Sequence, residues 1–392
     1  MPWEGKTMSE YREEFVRRVI AKEKSKSELC REYGISRPTG DKWIHRFQNG
    51  DPLSDQSRKP FHTPNKTSGE LEEKIVELRR RHPAVGAKKI KRILENNGDC
   101  APAYSTINAI LHRNGLITKE ASQAATPYIR FEKERPNEMW QADFKGHFVM
   151  GDGTRCHPLT VIDDCSRFCL CLEAKRNEKY EGVKESFLSM FKRYGLPDTL
   201  LCDNGNPWGN AQTFGYTRFE VWLMELDILT KHCRARHPQT QGKDERYNGT
   251  LNAELLRYKE MKDLRDAQTA FDEYISFYNT ERPHHALSLD TPAEHYQSST
   301  RKLPQRVEEW EYRREFEARK IKSSGYLTFK GQGYFLSEAF GEKRVGVRES
   351  ENERGVFHVY YRRFCVAKID TNNRAVIARR PFADLSLPPQ NV

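Results

Sequence analysis

Three acidic residues occupy positions where the local pattern changes, and together they could hold metal. Asp143 interrupts the apolar run Trp140-Gln-Ala-Asp143-Phe144. A charge in the middle of such a strand is costly unless it faces a site or a partner. Asp203 closes Leu200-Leu-Cys and opens Asp203-Asn-Gly, which is equally a favoured turn sequence. Glu245 falls early in a helix after His237-Pro-Gln-Thr-Gln-Gly-Lys-Asp; taken alone it reads as a surface glutamate. Cleaving a phosphodiester with two cations about 4 Å apart requires such carboxylates, one ion for the attacking oxygen and one for the leaving oxygen. Hard oxygen ligands of this kind suit Mg²⁺ or Mn²⁺.

Other candidates carry blander readings. Asp163-Asp164 follows an apolar run and reads as a turn. The spacing of His232, Cys233 and His237 does not match a zinc ligand set. Nine cysteines without paired CxxC motifs argue against a disulfide framework and against structural zinc. Cys169 and Cys171 alternate with Leu170 and Leu172, as small hydrophobes do in a buried strand.

The elements that must position the three acids can be read from periodicity. Trp140–Val149, Leu159–Ile162 and Phe168–Leu172 read as strands. A helix over about 179–194 leads to the strand Thr199–Cys202. A helix over about 218–226, a short strand at 228–231 and a long helix from near Gln241 follow. This predicts a mixed α/β sheet with helices on its faces, which places functional groups at strand ends.

Both ends differ from this middle. Residues 1–130 carry 25 Lys and Arg against 17 Asp and Glu, residues 131–300 carry 22 against 27, and residues 301–392 carry 19 against 12. Basic ends attract a polyanion such as DNA, and an acidic middle that acts on it needs cations to offset its carboxylates. From Met8 to Phe47 the pattern gives three short helices, with Gly34 ending the second and Ser36 capping the third. This is helix-turn-helix spacing, and it would offer Arg37, Lys42 and Arg46 to double-stranded DNA. After a polar linker at 51–68, a second three-helix unit is expected. There Lys88 and Lys89 open one helix and Ser105 caps the next. A second linker spans 119–137. Beyond a charged connector expected to be helical, about 306–322, short alternating runs predict a small SH3-like β-barrel.

Together the motifs resemble the DDE triad of the retroviral-integrase superfamily, and in particular bacterial insertion-sequence transposases with an integrase catalytic core. Asp143 in the first strand, Asp203 in Asp-Asn-Gly and Glu245 in HPQTQGKDER carry the resemblance. So does Tyr278-Asn-Thr-Glu-Arg282-Pro-His284, followed by Leu287 and Thr291-Pro-Ala. It covers Trp140–Tyr296 closely. It implies a multidomain chain: helix-turn-helix units at 8–50 and 66–118, an RNase H-like core at 137–297 and a terminal barrel at 323–380. The implied chemistry is hydrolysis at a transposon end, followed by attack of the freed 3′-OH on target DNA, with two Mg²⁺ or Mn²⁺ ions held by Asp143, Asp203 and Glu245. The implied partners are the terminal inverted repeats, target DNA and further copies of the chain in a synaptic complex. Gln241, Lys243, Arg246 and Asn248 are candidate DNA contacts around Glu245. Asp203 and Glu245 are 42 residues apart, longer than in retroviral integrases, and the segment 207–216 would account for it. Arg282 and His284 belong to the family motif without an assigned role.

Two other readings stand beside this one: a DNA-binding regulator that has lost catalysis, and an RNase H-like nuclease that does not join strands. No apolar stretch is long enough to span a bilayer. The first residues, Met1-Pro-Trp-Glu-Gly, lack the apolar core of a secretory signal. A bacterial, nucleoid-associated cytoplasmic protein without a small-molecule substrate is the expectation.

Overall fold

The computed structural model describes residues 7–55, 67–117, 133–209, 215–232 and 242–379. It divides into two compact units, residues 1–66 and 67–392.

The first unit contains α1 (Met8–Ile20), α2 (Lys26–Glu32) and α3 (Arg37–Gln48). Thr7 and Ser25 close capping boxes with Glu10 and Glu28. Ser36 caps α3 with a proline in its first turn. Gly34 takes φ +64, a left-handed turn that a side chain resists. Phe15, Val16, Leu29, Cys30 and Trp43 form its core. A Cβ at Gly40 would stand 2.8 Å from Cys30 Sγ, so glycine allows α3 to approach α2 closely.

The second unit begins with α4 (Gly69–Arg81), α5 (Ala87–Asn96) and α6 (Tyr104–Arg113). Ser105 does not cap α6: the helix starts at Tyr104 after Ala103, with no side-chain cap. Burial of Ile107, Ile110 and Leu111 sets its ends. Each such burial contributes about 1.5–3 kcal/mol, more than the roughly 1 kcal/mol of a cap.

The central sheet comprises β1 (Met139–Phe144), β2 (Phe148–Val149), β3 (Arg155–Asp163), β4 (Cys169–Lys175), β5 (Thr199–Cys202) and β6 (Leu229–His232). β1, β3 and β4 run antiparallel, while β5 and β6 lie parallel to β1, giving a mixed sheet. The run 140–149 is not one strand. It bends at Gly146, φ +89, so that β2 pairs with the start of β3.

One face of the sheet, with Trp140 and Ala142, packs on α7 (Tyr180–Tyr194) and α8 (Arg218–Glu225). The other carries Ile162, Cys169 and Leu172 against α9 (Gly242–Leu251) and α10 (Leu264–Thr280). The long helix expected from Gln241 breaks: α9 passes into a π-helical turn at Asn252–Leu256. The apolar faces of α4, α5 and α6 belong to this same second core, beside Phe271, Tyr274 and Phe277.

The terminal region is an antiparallel sheet of β7 (Glu317–Lys320), β10 (Arg344–Glu349), β11 (Val356–Tyr361), β12 (Phe364–Asp370) and β13 (Ala375–Arg379). A hairpin of β8 (Tyr326–Phe329) and β9 (Gln332–Phe335) completes it. The connector expected to be helical is extended and ends in β7. Tyr312 donates to the carbonyls of Arg344 and Tyr360, and Arg362 Nη1 donates to Glu308 O at 3.0 Å. These tertiary bonds and β7–β10 pairing override the helical propensity of the charged run.

Candidate active site

Strand alternation puts Gln141 and Asp143 on the face covered by α9, opposite the apolar face of Trp140 and Ala142. Asp143 pairs across the ladder with Thr160 of β3. Glu245 lies in the first turn of α9, exposed. Asp143 and Glu245 line one open cleft together with Lys145, Asn248, Gly249 and Asn252. Asp203 follows β5, half-buried, its Oδ1 accepting from the Gly205 amide at 2.9 Å. His232 of β6 supports this turn: Nδ1 lies 2.7 Å from Asp203 O and Nε2 lies 2.8 Å from the buried Glu220.

Electrostatics ties the acids together. Burial, and then the nearby Asp203 charge, push the Asp143 carboxyl up to about 6. Behind it sits Asp244, wholly buried and raised well above the carboxylate range by burial and by Asp143. Asn248 Nδ2 spans the two, 3.2 Å from Asp143 Oδ2 and 3.1 Å from Asp244 Oδ2. Thr160 Oγ1 donates to Asp143 O at 3.1 Å and lies 3.4 Å from Asp244 Oδ1. Gln141 accepts from the Asp244 amide at 3.3 Å. Asp244 went unnoticed in the sequence because an Asp beside Glu245 early in a helix looks like a dipole-stabilising surface residue. Lys145 was also passed over, although the i, i+2 spacing from Asp143 marks it; burial lowers its ammonium.

Among the described residues, no three His, Cys, Asp or Glu side chains converge into a ready metal-ligand set. The donor chemistry nonetheless fits a hard cation. Crowded carboxyls repel one another where Asp143 is buried, and Asn248 Oδ1 is buried without a hydrogen-bond partner beside them.

The remaining sequence candidates fall in varied settings. Arg37 and Lys42 are exposed on α3, and Lys42 lies over Trp43. Arg46 is half-buried against Trp43 and Ser54 O. Lys88 is exposed over Tyr104, whereas Lys89 turns inward, where burial and Arg282 push its ammonium down to about 7. Lys243 bonds Asp164 at 2.5 Å instead of facing outward, Arg246 is exposed, and Asn248 serves the carboxyl pair. Gln241, Cys233 and His237 lie outside the described residues. Asp163 and Asp164 are a buried turn, with Asp163 accepting from the Asn137 and Ser166 amides and Asp164 from Gln141. Arg282 makes a bidentate pair with Glu254, 2.7 Å to each oxygen, and donates to His284 Nε2 at 2.9 Å. Burial and Arg282 push that imidazole down to about 2. Both residues thus pack the π-helical turn after α9 against α10.

A mixed sheet with acids at a central strand, a strand end and a covering helix defines an integrase-type core of RNase H-like architecture. Family models and sequence relatives agree. Two integrase core domain models match residues 133–238 and 226–292, and the C-terminal domain of IS481 family transposases matches 316–376. A helix-turn-helix domain matches 12–61 and a homeodomain-like domain 39–111. A protein of Geobacillus stearothermophilus named as the transposase of insertion sequence element IS5376 is 21% identical, over 89% of this chain and 85% of its own. The transposase InsD of insertion element IS2 from Escherichia coli is 24% identical over 54% of this chain and 66% of its own. Among solved structures, the HTLV-2 integrase catalytic core domain is 20% identical. It covers 42% of this chain and 99% of its own, with TM-score 0.32. The integrase core domain, the IS481-type C-terminal domain and these relatives together support a bacterial insertion-sequence DDE transposase.

Proposed function

We propose that this chain cuts transposon-end DNA and transfers the freed 3′-OH into target DNA. Asp143, Asp203 and Glu245 would hold two Mg²⁺ or Mn²⁺ ions. When bound, the ions would activate the attacking oxygen and stabilise the leaving one. The observation that carries this reading is the cleft: Asp143, strained upward by burial and by Asp203, opens beside Glu245. Asp244 and Asn248 orient the Asp143 carboxyl from behind. The helical units, taken as 8–50 and 66–118, recognise the terminal repeats, with Arg37, Lys42, Arg46 and Lys88 offered to phosphates or bases. Arg246 is offered to DNA beside the core of 137–297. We read the terminal region, taken as 323–380, as a small SH3-like barrel. Joining two ends requires at least two copies of the chain in one synaptic assembly, acting on the bacterial chromosome in the cytoplasm.

The test is cleavage and strand transfer, measured separately on end-containing duplexes with Mg²⁺. Asp203→Asn and Glu245→Gln should each lower both activities by at least a hundredfold. Intact 3′-end cleavage by Asp203→Asn would sink the assigned site. Cleavage without transfer from pre-cut ends identifies a nuclease, and binding with neither identifies a regulator.

A further inference from the structure

Helix α9 runs beside strand β1 in a matched register. Four helical residues advance about 6 Å and two strand residues about 6.6 Å, so steps of four and two stay level. The first level is Asp244 with Gln141, whose side chain accepts from the Asp244 amide at 3.3 Å. The second is Asn248 with Asp143, 3.2 Å apart. The third is Lys145 with Asn252, the first residue of the π-helical turn that continues α9, and these two line the cleft together. The Lys145 amide still bonds Pro158 O at 3.1 Å, so the residue keeps its place beyond the strand end.

This third level differs in chemistry from the two below it. Asp244, Gln141, Asn248 and Asp143 bond one another, whereas the side chains of Lys145 and Asn252 have no hydrogen-bond or ion-pair partner among the described residues. In the same cleft Gly249 leaves open space where a Cβ would stand. A cation and an amide therefore line the cleft together with a position that carries no side chain, one step from the acidic pair. Lys243 does not compete for this place, because its ammonium is held by Asp164.

We propose that Lys145 and Asn252, in the cleft they share with Gly249, bind a backbone phosphate of the DNA strand adjacent to the phosphate being cut. This rests on the strand-cutting reading above. An ammonium suits a phosphate oxygen as a point charge, the amide adds a directional donor, and a bare glycine lets the sugar-phosphate chain lie close. The contact gives register along the strand and carries no base specificity.

The test uses the full chain and an end-containing duplex with Ca²⁺ replacing Mg²⁺, so that binding is read without turnover. Single phosphates flanking the cut site are replaced in turn by neutral methylphosphonates. Wild type should lose roughly tenfold in affinity at one flanking position, the scale of a charge-assisted hydrogen bond. Lys145→Met should lose a similar factor on unmodified DNA, become indifferent at that position, and show a log–log salt slope smaller by about one. Lys145→Arg should restore the sensitivity, which a merely misfolded site would not. If Lys145→Met keeps the full penalty at every position and an unchanged salt slope, the contact does not exist. Asp203→Asn, assayed for binding with Ca²⁺ and for cleavage with Mg²⁺, separates the two claims. Normal methylphosphonate sensitivity with intact cleavage overturns the metal site and leaves the phosphate contact standing.

Discussion

Two three-helix units precede the central sheet, alike in order of parts and unlike in what holds them. The first closes its own core around Phe15, Leu29 and Trp43, and each of its helices begins with a side-chain cap. The second caps only α4. The starts of α5 and α6 have no side-chain cap, and their buried residues join the core of α9 and α10. Around this joint, His82 stacks on Phe277 with ring centres 3.6 Å apart, and Arg92 reaches Asp290 at 3.0 Å. A small unit that must fold by itself relies on local signals. One that folds onto a larger body can dispense with them, because packing supplies the larger energy.

The comparison can be broken at several points. The largest effect is expected from Arg282→Ala, which leaves Glu254 buried without its partner; about 3–5 kcal/mol should be lost. Calorimetry should show that loss in the transition of residues 67–392 and leave that of the first unit unmoved. Leu29→Ala and Ile90→Ala each remove a fully buried side chain, worth about 2–5 kcal/mol. Hydrogen exchange should show the first opening only α1–α3, and the second opening α4–α6 together with α10. Separate opening of α4–α6 would show that the second unit is autonomous after all.

A smaller effect concerns Lys89. Its ammonium is depressed to about 7 by burial and by Arg282, so the folded chain binds fewer protons than the unfolded chain from pH 7 up to about 10. Its contribution to stability therefore rises with pH across that window. Lys89→Met should raise the melting temperature most at pH 6–7 and flatten its rise toward pH 10. The smallest effect is Ser36→Ala, about 1 kcal/mol, confined to the first unit and read as a shift of its thermal midpoint.

Much of the architecture was legible because it rests on short-range pattern. Alternation marked β3 and β4, glycine at position 34 marked a left-handed turn, and Ser36 with Pro38 marked the start of α3. Failures came where distant contacts decide. The charged connector had a helix-forming composition, yet Tyr312 and β10 draw it out as an extended chain. The helix carrying Glu245 changes to a π-helical turn where Glu254 must meet Arg282. Adjacency to a motif likewise does not reveal which face of a helix is covered, so it could not show that Lys89 turns inward or that Lys243 pairs with Asp164.

What the sequence determined alone is the chemistry on offer: acids in a strand, after a strand and on a helix, between basic ends. Those signals are local, set by residue type and by periods of two and 3.6. Only the tertiary structure decided how the acids are supported. It placed Asp244 behind Asp143, Asn248 between them and Lys145 at the cleft. Each of these depends on the level at which α9 lies along β1, residues about a hundred positions apart. That alignment arises from packing two faces of one sheet, and no local pattern encodes it.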